Sequence, residues 1–444
     1  MANKELQSIA EFCRDNWSDY CDFTIKTADR VCENRFLFDS PRDMERTEST
    51  VDFGKKINSV KKGERFLENA EIFVYFFQYN GDFQRYKIGS NEEFMFQLNR
   101  HGFLIQLGQA YYLTGDEKYL NHFVKILNNW LDTVPCDYKN NSPWRSLEVG
   151  MRGDRWLKAL KYIEGTKFFS SELKKKIDKS LLTHIEVLKK AHSGFQKGSN
   201  WGIIQDSGLF HIGVYFNDND IISLALNRLE QETDLQIMSD GFQWEQSNNY
   251  HNEVLLVLLD DIIDADKNRI QFPDSLKSKI EKMAEAALKT VKPNGHNPLF
   301  GDSDDTDIRD IMSRCAMVFG RSDFKYYGFD RLDFDTVWLT GYDSIEKYNN
   351  IGKTPPSFNN TFLEDSGNYI LRENQTNASN YLLFHNGYTG AGHAHADKLH
   401  FDLMIKGRDV LVDAGRYTYL NNAQRRYIKS PKAHNVCLID NKQY

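Results

Sequence analysis

The chain has 444 residues, of which 40% are hydrophobic, 27% charged and 13% aromatic, a composition typical of a folded protein long enough for two domains. Its formal net charge of −7 argues against non-specific nucleic-acid binding. No apolar run is long enough to span a bilayer, and the first residues lack the apolar segment of a signal peptide. If Met1 is the native start we expect a cytoplasmic protein, whereas removal of a signal peptide would make it periplasmic or secreted.

Residues from about 64 to about 330 follow the 3.6-residue period of amphipathic helices. One apolar stripe runs from Leu104 to Tyr111, is broken at 114–116 by Thr-Gly-Asp, and resumes from Tyr119 to Trp130. Further helices are predicted to begin at Ser170 and to span about 206–216, 219–232, 250–265 and 274–291. Antiparallel helical hairpins in series predict an (α/α) toroid or an irregular α-solenoid over residues 1–340.

The sequence pattern changes after about residue 340. Residues 341–356, which end in a Thr-Pro-Pro run, are predicted to be a linker. Short alternating or β-branched runs then predict strands at 366–372, 381–385, 399–405, 410–413 and 435–439. The expected fold class is therefore α+β, with the toroid followed by an antiparallel β-sandwich over 357–444. That stretch is short for a sandwich, so we expect the sandwich to be truncated at the C-terminus.

Histidines with metal-binding spacing occur in the β region. His393 and His395 lie two residues apart, which on an extended strand places both imidazoles on one face. Asp413 ends a second predicted strand, and His434 lies on a third. Two histidines and a carboxylate from neighbouring strands can form a zinc site, although a buried histidine and a turn-forming aspartate would explain the same residues. His400 falls on the opposite face from His395 if the strand is regular, and is set aside.

Three segments of the β region resemble the C-terminal domain of heparinase II/III-type polysaccharide lyases. They are Gly392-His-Ala-His-Ala-Asp397, Val412-Asp-Ala-Gly-Arg-Tyr-Thr-Tyr419 and Arg426-Tyr-Ile-Lys-Ser-Pro-Lys-Ala-His-Asn435. The resemblance implies an α/α toroid joined to β-sandwich sheets and cleavage of uronate polysaccharides by β-elimination. It also implies one structural zinc per chain, held by His395, Asp413 and His434.

The resemblance further implies a catalytic group of Asn200, Tyr250 and His393. Asn200 and Tyr250 lie near the predicted starts of two helices, and the family places such residues opposite the sandwich histidine. Elimination needs a donor that stabilises charge on the uronate carboxylate, a base and an acid. The bland alternatives are a helix cap for Asn200 and a buried aromatic for Tyr250.

Substrate-binding candidates come from the surrounding residues. Glu245 and Asn249 flank Tyr250 and could bind sugar hydroxyls. Arg152, Arg155 and Arg426 belong to two basic clusters and could bind carboxylate or sulfate, although surface ion pairs explain arginines equally well. The acidic run at 302–307 lacks the glycine and glutamate placement of an EF-hand, so a polar loop that caps or lines the cleft is expected there.

The expected function is lyase action on an acidic, uronate-containing, glycosaminoglycan-like polysaccharide. A non-catalytic protein that binds acidic glycans and an unsaturated glucuronyl hydrolase remain alternatives. The expected partner is the polysaccharide, with neither nucleic acid nor membrane.

Overall fold

The structure is a computed structural model that describes residues 3–38, 45–51, 72–77, 83–88, 92–136 and 142–440. Helices dominate these ranges, and two antiparallel sheets accompany them. The α-helices are α1 (Lys4–Asn16), α2 (Ser18–Cys32), α3 (Glu92–Arg100), α4 (Phe103–Thr114), α5 (Lys118–Thr133), α6 (Ser146–Leu160), α7 (Ser171–Lys190), α8 (Gly194–Lys197), α9 (Asn200–Phe216), α10 (Asn219–Gln236), α11 (Asn248–Asn268), α12 (Asp274–Thr290), α13 (Arg309–Phe319), α14 (Ser322–Tyr327), α15 (Phe334–Thr340), α16 (Ser344–Asn349) and α17 (Ala423–Ile428).

The strands form two separate antiparallel sheets, each with its strands in sequence order. The strands are β1 (Arg35–Phe38), β2 (Glu45–Thr50), β3 (Ile72–Phe77), β4 (Phe83–Ile88), β5 (Thr361–Leu363), β6 (Asn368–Arg372), β7 (Tyr381–His385), β8 (His400–Ile405) and β9 (Arg408–Leu411). Within the described ranges, no helix has both the length and the apolar character needed to cross a membrane.

Local sequence signals position the helix ends well. Gly115 adopts a left-handed conformation (φ 79°) and separates α4 from α5, as the Thr-Gly-Asp break predicts. Ser170 caps α7 by accepting a hydrogen bond from the Leu173 N–H. Helices α9, α10 and α11 extend beyond their predicted bounds of 206–216, 219–232 and 250–265, and α12 ends one residue before its predicted end at 291.

Helices α6 and α9 approach each other with almost no space between their backbones. A Cβ atom on Gly208 of α9 would lie 2.4 Å from the carbonyl oxygen and 2.7 Å from the Cα of Gly150 in α6. Glycine lowers the stability of an isolated helix by roughly 1 kcal/mol relative to alanine. Close helix packing explains why α9 contains it, and this packing fixes the position of the first residue of α9, Asn200.

The predicted helical region is wrong at its start. Residues 72–88 lie inside the range interpreted as helical, yet they contain β3 and β4, which pair with each other and continue the sheet formed by β1 and β2. The β3 sequence, Ile-Phe-Val-Tyr-Phe-Phe, is a continuous apolar run rich in aromatic residues and has no 3.6-residue period. A run of this kind favours a buried strand over an amphipathic helix.

The second sheet joins the helical part through one apolar face. Leu363, Ile370, Leu383 and Met404 from strands β5–β8 share a buried cluster with three residues of the helical part, namely Phe242, Ala286 and Phe300. On the other face the sheet presents exposed apolar side chains, which include Phe362, Leu371, Ile405, Val410 and Leu411. The predicted strands at 366–372, 381–385, 399–405 and 410–413 correspond to β6, β7, β8 and β9, although β9 begins and ends two residues earlier than expected.

Two other predictions for the C-terminal part are wrong. No strand forms at 435–439; instead the Asn435 side chain donates hydrogen bonds to the carbonyls of Phe401 and Val412, each 3.1 Å away. The first half of the predicted linker 341–356 forms α16, in which Tyr348 is buried and donates to the Phe329 carbonyl. Side-chain contacts from distant parts of the chain order both segments.

The contact between α6 and α9 predicts the effect of one added methyl group. Gly208→Ala should destabilise the protein by about 1–3 kcal/mol, as overpacking does, because the backbones cannot separate without moving neighbouring helices. Urea unfolding would measure this change. Gly194→Ala is the control, since nothing lies within 4 Å of the corresponding position and alanine favours a helix. Equal stability of the two variants would contradict the packing argument.

Candidate active site

The start of α9, the start of α11 with the segment before it, and the loop that carries His393 meet near the contact between the helical part and the second sheet. The Tyr250 and His393 rings stack with centroids 3.5 Å apart and planes 16° apart. The His393 Nε2 atom lies 3.9 Å from Glu245 Oε2, and Asn200 Nδ2 donates to that same oxygen over 2.9 Å. The structure thus brings the three predicted catalytic residues into one cluster, with Glu245 between two of them.

Asn200 is the first residue of α9, and Glu245 holds it in place. Glu245 accepts hydrogen bonds from the backbone N–H of Asn200 (2.8 Å) and from its side-chain amide. A carboxylate is favourable at a helix N-terminus because of the helix dipole and the unpaired N–H groups there. Glu245 is only 1% exposed, so the interpretation of Glu245 as a ligand for sugar hydroxyls is wrong for this arrangement. Its carboxylate orients Asn200.

Tyr250 lies in the first turn of α11, and its hydroxyl contacts another tyrosine. The hydroxyl oxygens of Tyr250 and Tyr419 are 2.6 Å apart. Burial raises the pKa of Tyr250 well above its usual range, although the hydrogen bond with Tyr419 opposes the shift. The Tyr250 phenol is therefore protonated at neutral pH and can donate a proton. Tyr419 did not emerge from the sequence as a site residue, although it ends one of the three segments that resemble the lyases.

One nitrogen of His393 is already engaged by a carboxylate. The Nδ1 atom lies 2.9 Å from Asp302 Oδ2. An ionised carboxylate only accepts hydrogen bonds, so Nδ1 carries the proton and Nε2 of the neutral ring has a free lone pair. The side chain of His393 keeps 23% of its surface exposed. This tautomer suits His393 to accept a proton through Nε2.

Asp302 connects the candidate catalytic and metal-binding residues. Its two oxygens separately contact His393 and His395, the latter through Nε2 at 2.8 Å, and Arg425 donates to both oxygens at 2.5 and 2.7 Å. Burial works to raise its pKa, but the hydrogen bonds from His393, His395 and Arg425 hold the pKa of Asp302 well below its ordinary value. A polar loop that caps or lines the cleft was expected at 302–307, but Asp302 was not among the predicted site residues.

The backbone of Asp302 ties the same loop to α11. Its N–H donates to the His393 carbonyl over 2.8 Å, and its carbonyl accepts a hydrogen bond from the Ser247 hydroxyl over 2.9 Å. Ser247 immediately precedes α11, three residues before Tyr250. Gln246 before it has a left-handed backbone (φ 56°), which turns the chain from Glu245 into the helix. Asp302 therefore helps to position Tyr250 as well as His393.

The predicted metal ligands form a compact buried group. His395, Asp413 and His434 each offer a ligand atom, and these atoms all lie within 4.8 Å of one another. In the described part of the chain, His395 Nδ1 and His434 Nε2 are buried without any hydrogen-bond partner. Buried nitrogens are normally satisfied, so two orphaned imidazole atoms beside a carboxylate fit a metal ion such as zinc.

Carboxylates orient both of these imidazoles. Asp302 contacts His395 Nε2, and Asp413 Oδ2 contacts His434 Nδ1 at 2.7 Å. Such hydrogen bonds fix which nitrogen of a histidine faces a metal. Burial works to raise the pKa of Asp413, but the hydrogen bond and charge of His434 lower it below its usual value.

His393 and His395 lie close together for a different reason from the predicted one, which was a shared face of an extended strand. Residues 386–399 form the irregular connection between β7 and β8, so His393 and His395 do not lie on a strand. They reach different oxygens of Asp302 because the loop folds over that carboxylate. His434 follows a short 3₁₀ helix and is likewise not on a strand.

Setting His400 aside as a metal ligand agrees with the structure, because the compact group consists of His395, Asp413 and His434. Strand geometry is not the reason, since His400 Nδ1 accepts a hydrogen bond from the Asn435 N–H. The same Nδ1 atom lies 3.4 Å from Asp413 Oδ2, the Nε2 atom of His400 is 3.0 Å from Asp402 Oδ1, and the ring is fully buried. His400 therefore borders the candidate metal group, with one nitrogen already engaged by Asp402.

Arg152 does not line a substrate surface. It is 0% exposed, and it donates hydrogen bonds to the carbonyls of Asn99 and Pro143 and to His184 Nε2. Burial lowers the pKa of Arg152 to about 9. Its guanidinium lies 4.5 Å from the centre of the Trp130 ring, a cation–π contact in the core. The interpretation of Arg152 as a ligand for carboxylate or sulfate is therefore wrong.

The other substrate-binding candidates differ in their exposure and in the hydrogen bonds that their side chains already make. Within the described part of the chain, Arg155 makes no hydrogen bond or ion pair, and it is partly exposed. Arg426 is exposed, and among the described residues its side chain donates one hydrogen bond, to Asn421 Oδ1 at 3.2 Å. Asn249 is partly buried, and its side-chain oxygen accepts a hydrogen bond from Thr306. These three roles stay predictions.

Comparison with known proteins places both parts of the chain in one family. The family description Heparinase II/III N-terminus matches residues 33–326, and Heparinase II/III-like, C-terminal, matches residues 355–444. The curated heparin-sulfate lyase of Bacteroides thetaiotaomicron is 24% identical over 380 residues, which is 79% of this chain and 52% of that protein. The heparin-sulfate lyase of Pedobacter heparinus is 24% identical over 385 residues, 82% of this chain and 55% of that protein. The chain spans about half the length of these curated relatives.

Solved structures share the fold. A crystal structure of heparinase III superposes with a TM-score of 0.67 at 21% identity, over 81% of this chain and 57% of that one. The heparan sulfate lyase of Pedobacter heparinus superposes with a TM-score of 0.60 at 21% identity, over 98% of this chain and 65% of that one. These similarities confirm the predicted fold class, an α/α toroid followed by an antiparallel β domain.

The network around Asp302 predicts a pH-dependent contribution to stability. Asp302→Asn should lower the free energy of unfolding by about 3–5 kcal/mol at pH 7, because it removes the charge from a fully buried carboxylate that Arg425, only 12% exposed, binds through both oxygens. The native pKa of Asp302 is depressed, so its stabilisation is present above the ordinary carboxyl pKa of about 3.9 and is lost as pH falls below it. Urea unfolding at several pH values should show the difference from wild type shrinking in acid.

Asp305→Asn provides a matched control for this experiment. Asp305 is paired with His296, but its side chain is 57% exposed. Exposed pairs contribute only about 0–1 kcal/mol. If Asp302→Asn were as stable as Asp305→Asn at neutral pH, the central role of Asp302 would be wrong.

Proposed function

Because the chain belongs to the heparinase II/III family, we propose that it is a polysaccharide lyase that cleaves uronate-containing glycosaminoglycans by β-elimination. The names of its relatives favour a substrate of the heparan sulfate type. The observation that carries this proposal is the stacked pair of Tyr250 and His393 beside Asn200. These residues supply an acid, a base and a neutral hydrogen-bond donor in one place.

His393 acts as the base in this mechanism. Its Nε2 takes the proton from the carbon that bears the uronate carboxylate, while Asp302 holds the proton on Nδ1 and stabilises the imidazolium that forms. The electron pair of the broken C–H bond forms the new carbon–carbon double bond. The bond from the adjacent carbon to the glycosidic oxygen then breaks, and that oxygen leaves with the bonding pair.

Tyr250 supplies the proton for the leaving oxygen. Its raised pKa keeps the phenol protonated, so it enters the reaction as an acid. Tyr419, whose hydroxyl oxygen is 2.6 Å from that of Tyr250, orients the phenol through a hydrogen bond. Opposite roles for the two stacked groups follow from their environments, since Asp302 binds Nδ1 of His393 and leaves the lone pair on Nε2, while burial keeps the Tyr250 phenol protonated.

Asn200 stabilises the charge that develops on the uronate carboxylate. Its side-chain amide lies at the N-terminus of α9, where the helix dipole also favours negative charge. Glu245 occupies this amide in the structure, so a uronate must replace Glu245 as the partner of the Asn200 side chain. The backbone N–H of Asn200 still binds Glu245 and keeps the helix start fixed.

Cations near the cleft suit a polyanionic substrate. Arg426 directly follows Arg425, which binds Asp302 in the site, and Arg155 is partly exposed. Arg155 has no hydrogen-bond or ion-pair partner in the described ranges, and exposed Arg426 has donors to spare. A guanidinium presents a fork of N–H donors that binds carboxylate and sulfate groups.

We also propose that His395, Asp413 and His434 bind one zinc ion that has a structural role. The ion would hold the β7–β8 loop, which carries His393, to the segment after β9 and to the C-terminal segment. The unpartnered buried nitrogens of His395 and His434 support this assignment. A metal bound only by the folded state adds its binding free energy to stability.

Near-ultraviolet absorbance during incubation with a panel of uronate glycans tests the activity. A rise with heparan sulfate reports the conjugated double bond of an elimination product and supports the proposal. A fall with unsaturated oligosaccharides would identify a glucuronyl hydrolase, which consumes that bond. Binding without any change in absorbance would identify a non-catalytic glycan-binding protein.

Removing the Tyr250 hydroxyl tests the assignment of the acid. Tyr250→Phe should lower kcat by roughly 10²–10⁴, the usual contribution of a positioned proton-transfer group, with little change in KM. Tyr419→Phe is the control, because it keeps the Tyr250 hydroxyl and removes one hydrogen bond, so kcat should fall by less than about tenfold. Similar kcat values for Tyr250→Phe and wild type would rule out the acid role.

The two loop histidines should respond differently to replacement. His395→Ala should lose the bound zinc and lower the melting temperature, whereas His393→Ala should keep the zinc and lose turnover. Metal analysis of the purified variants and thermal unfolding measure both effects. Zinc loss in His393→Ala together with zinc retention in His395→Ala would reverse the assignment.

A further inference from the structure

A second group with metal-ligating chemistry lies inside the helical part of the chain. His192 in the connection between α7 and α8, Asp206 of α9 and Glu232 of α10 place ligand atoms within 4.8 Å of one another. Asp206 and Glu232 are 2% and 0% exposed, and His192 is largely buried. This group shares no residue with the candidate active site or the proposed zinc site.

The distances within this group match those around a small metal ion. His192 Nδ1 is 3.5 Å from Asp206 Oδ2 and 3.4 Å from Glu232 Oε1. Zinc bonds of about 2.0–2.1 Å in tetrahedral geometry separate neighbouring ligand atoms by roughly 3.4 Å. Strong hydrogen bonds between charged groups are shorter, at about 2.7–2.9 Å. The spacing is therefore too wide for direct charge-assisted hydrogen bonds and suits a shared ion.

The polar atoms of this group lack other partners. Among the described residues, His192 Nδ1 and both carboxylate oxygens of Glu232 are buried without a hydrogen-bond partner. A buried charge without compensation is strongly unfavourable, so a cation or a proton must accompany Glu232.

Arg228 orients Asp206 from outside the group. Its Nη1 donates to Asp206 Oδ1 over 3.2 Å, and the guanidinium also donates to the carbonyls of Leu188 and Lys189. These carbonyls hold Arg228 in place, and Asp206 Oδ2 remains directed toward His192. A cation that orients a carboxylate from behind is a common outer partner of metal ligands.

Glu232 also reaches the first turn of α9. A Cβ atom on Gly202 would lie 2.5 Å from Glu232 Oε1, so only glycine allows this approach. Gly202 is two residues from Asn200 and four from Asp206. An ion shared by the three side chains would therefore connect α10 and the α7–α8 connection to the helical turn that carries Asn200.

We infer that His192, Asp206 and Glu232 form a second divalent-metal site, of zinc type, with water completing the coordination. The site steadies the N-terminal turn of α9 and requires no lyase activity of the chain.

Metal counting on the full chain tests this inference. The protein is stripped with chelator, equilibrated with Zn²⁺ at neutral pH, desalted and analysed for metal. The wild type should hold two ions, and Glu232→Gln and His192→Gln should each hold one fewer than the wild type. His122→Gln is the matched control and should leave the count unchanged, because His122 is a partly exposed histidine whose Nδ1 contacts the Lys118 carbonyl.

His395→Ala separates this site from the proposed zinc site. An ion that is kept in His395→Ala and lost in Glu232→Gln supports the second site even if the first site binds nothing. Titration of the stripped His395→Ala protein with Co²⁺ should give the visible absorption of tetrahedral cobalt, and His192→Gln in the same background should abolish it.

Two results would overturn the inference. A metal count that is the same in wild type, His192→Gln and Glu232→Gln would show that no ion binds there. A more stable Glu232→Gln with an unchanged count would show that Asp206 and Glu232 share a proton instead. Because His192 is at the edge of the group and partly exposed, His192→Gln gives a folded variant for the count if Glu232→Gln fails to fold.

Discussion

The Asp302 carboxylate is the interaction on which the candidate site depends. One oxygen contacts His393 and the other contacts His395, while Arg425 binds both. The residue is buried, so these contacts form in a medium of low polarity, where charge-assisted hydrogen bonds are strong. Asp302 comes from the helical part of the chain, whereas its three partners come from the C-terminal part. One side chain therefore sets the relative position of the proton-transfer histidine and the proposed zinc ligands.

Asn200 depends on a different constraint, the close packing of helices. Gly208 and Gly150 allow α9 and α6 to touch through their backbones, and Glu245 holds the start of α9 by accepting hydrogen bonds from Asn200. Tyr250 is held through the start of its own helix. Ser247, which immediately precedes α11, donates a hydrogen bond to the Asp302 carbonyl and so ties this helix start to Asp302. The apolar contact of the second sheet with Phe242 and Phe300 brings the His393 loop to these helix ends. The site thus forms where two helix starts meet one loop.

Much of the fold was predictable from local patterns. Caps and breakers located helix ends, as at Ser170 and Gly115, and short alternating or β-branched runs located strands such as Tyr381–His385. These signals act over a few residues, so the sequence carries them directly. The strand at Ile72–Phe77 was missed because helical periodicity was extended across a run that does not have it. The predicted strand at 435–439 failed because hydrogen bonds to distant backbone atoms order that segment.

By itself, the sequence determined the fold class, the family resemblance, and the catalytic and metal-ligand candidates that meet at the site, because these depend on residue types at fixed spacings. It did not identify Asp302 or Tyr419 as members of the site. Only the tertiary structure decided which of these residues contact each other. Arg152 looks like a surface cation in sequence, yet packing encloses it among tryptophans and carbonyls. Asp302 looks like one aspartate among several, yet the meeting of the two parts of the chain places it alone between His393 and His395. Burial and long-range hydrogen bonds depend on residues far apart in the sequence, and folding brings them together.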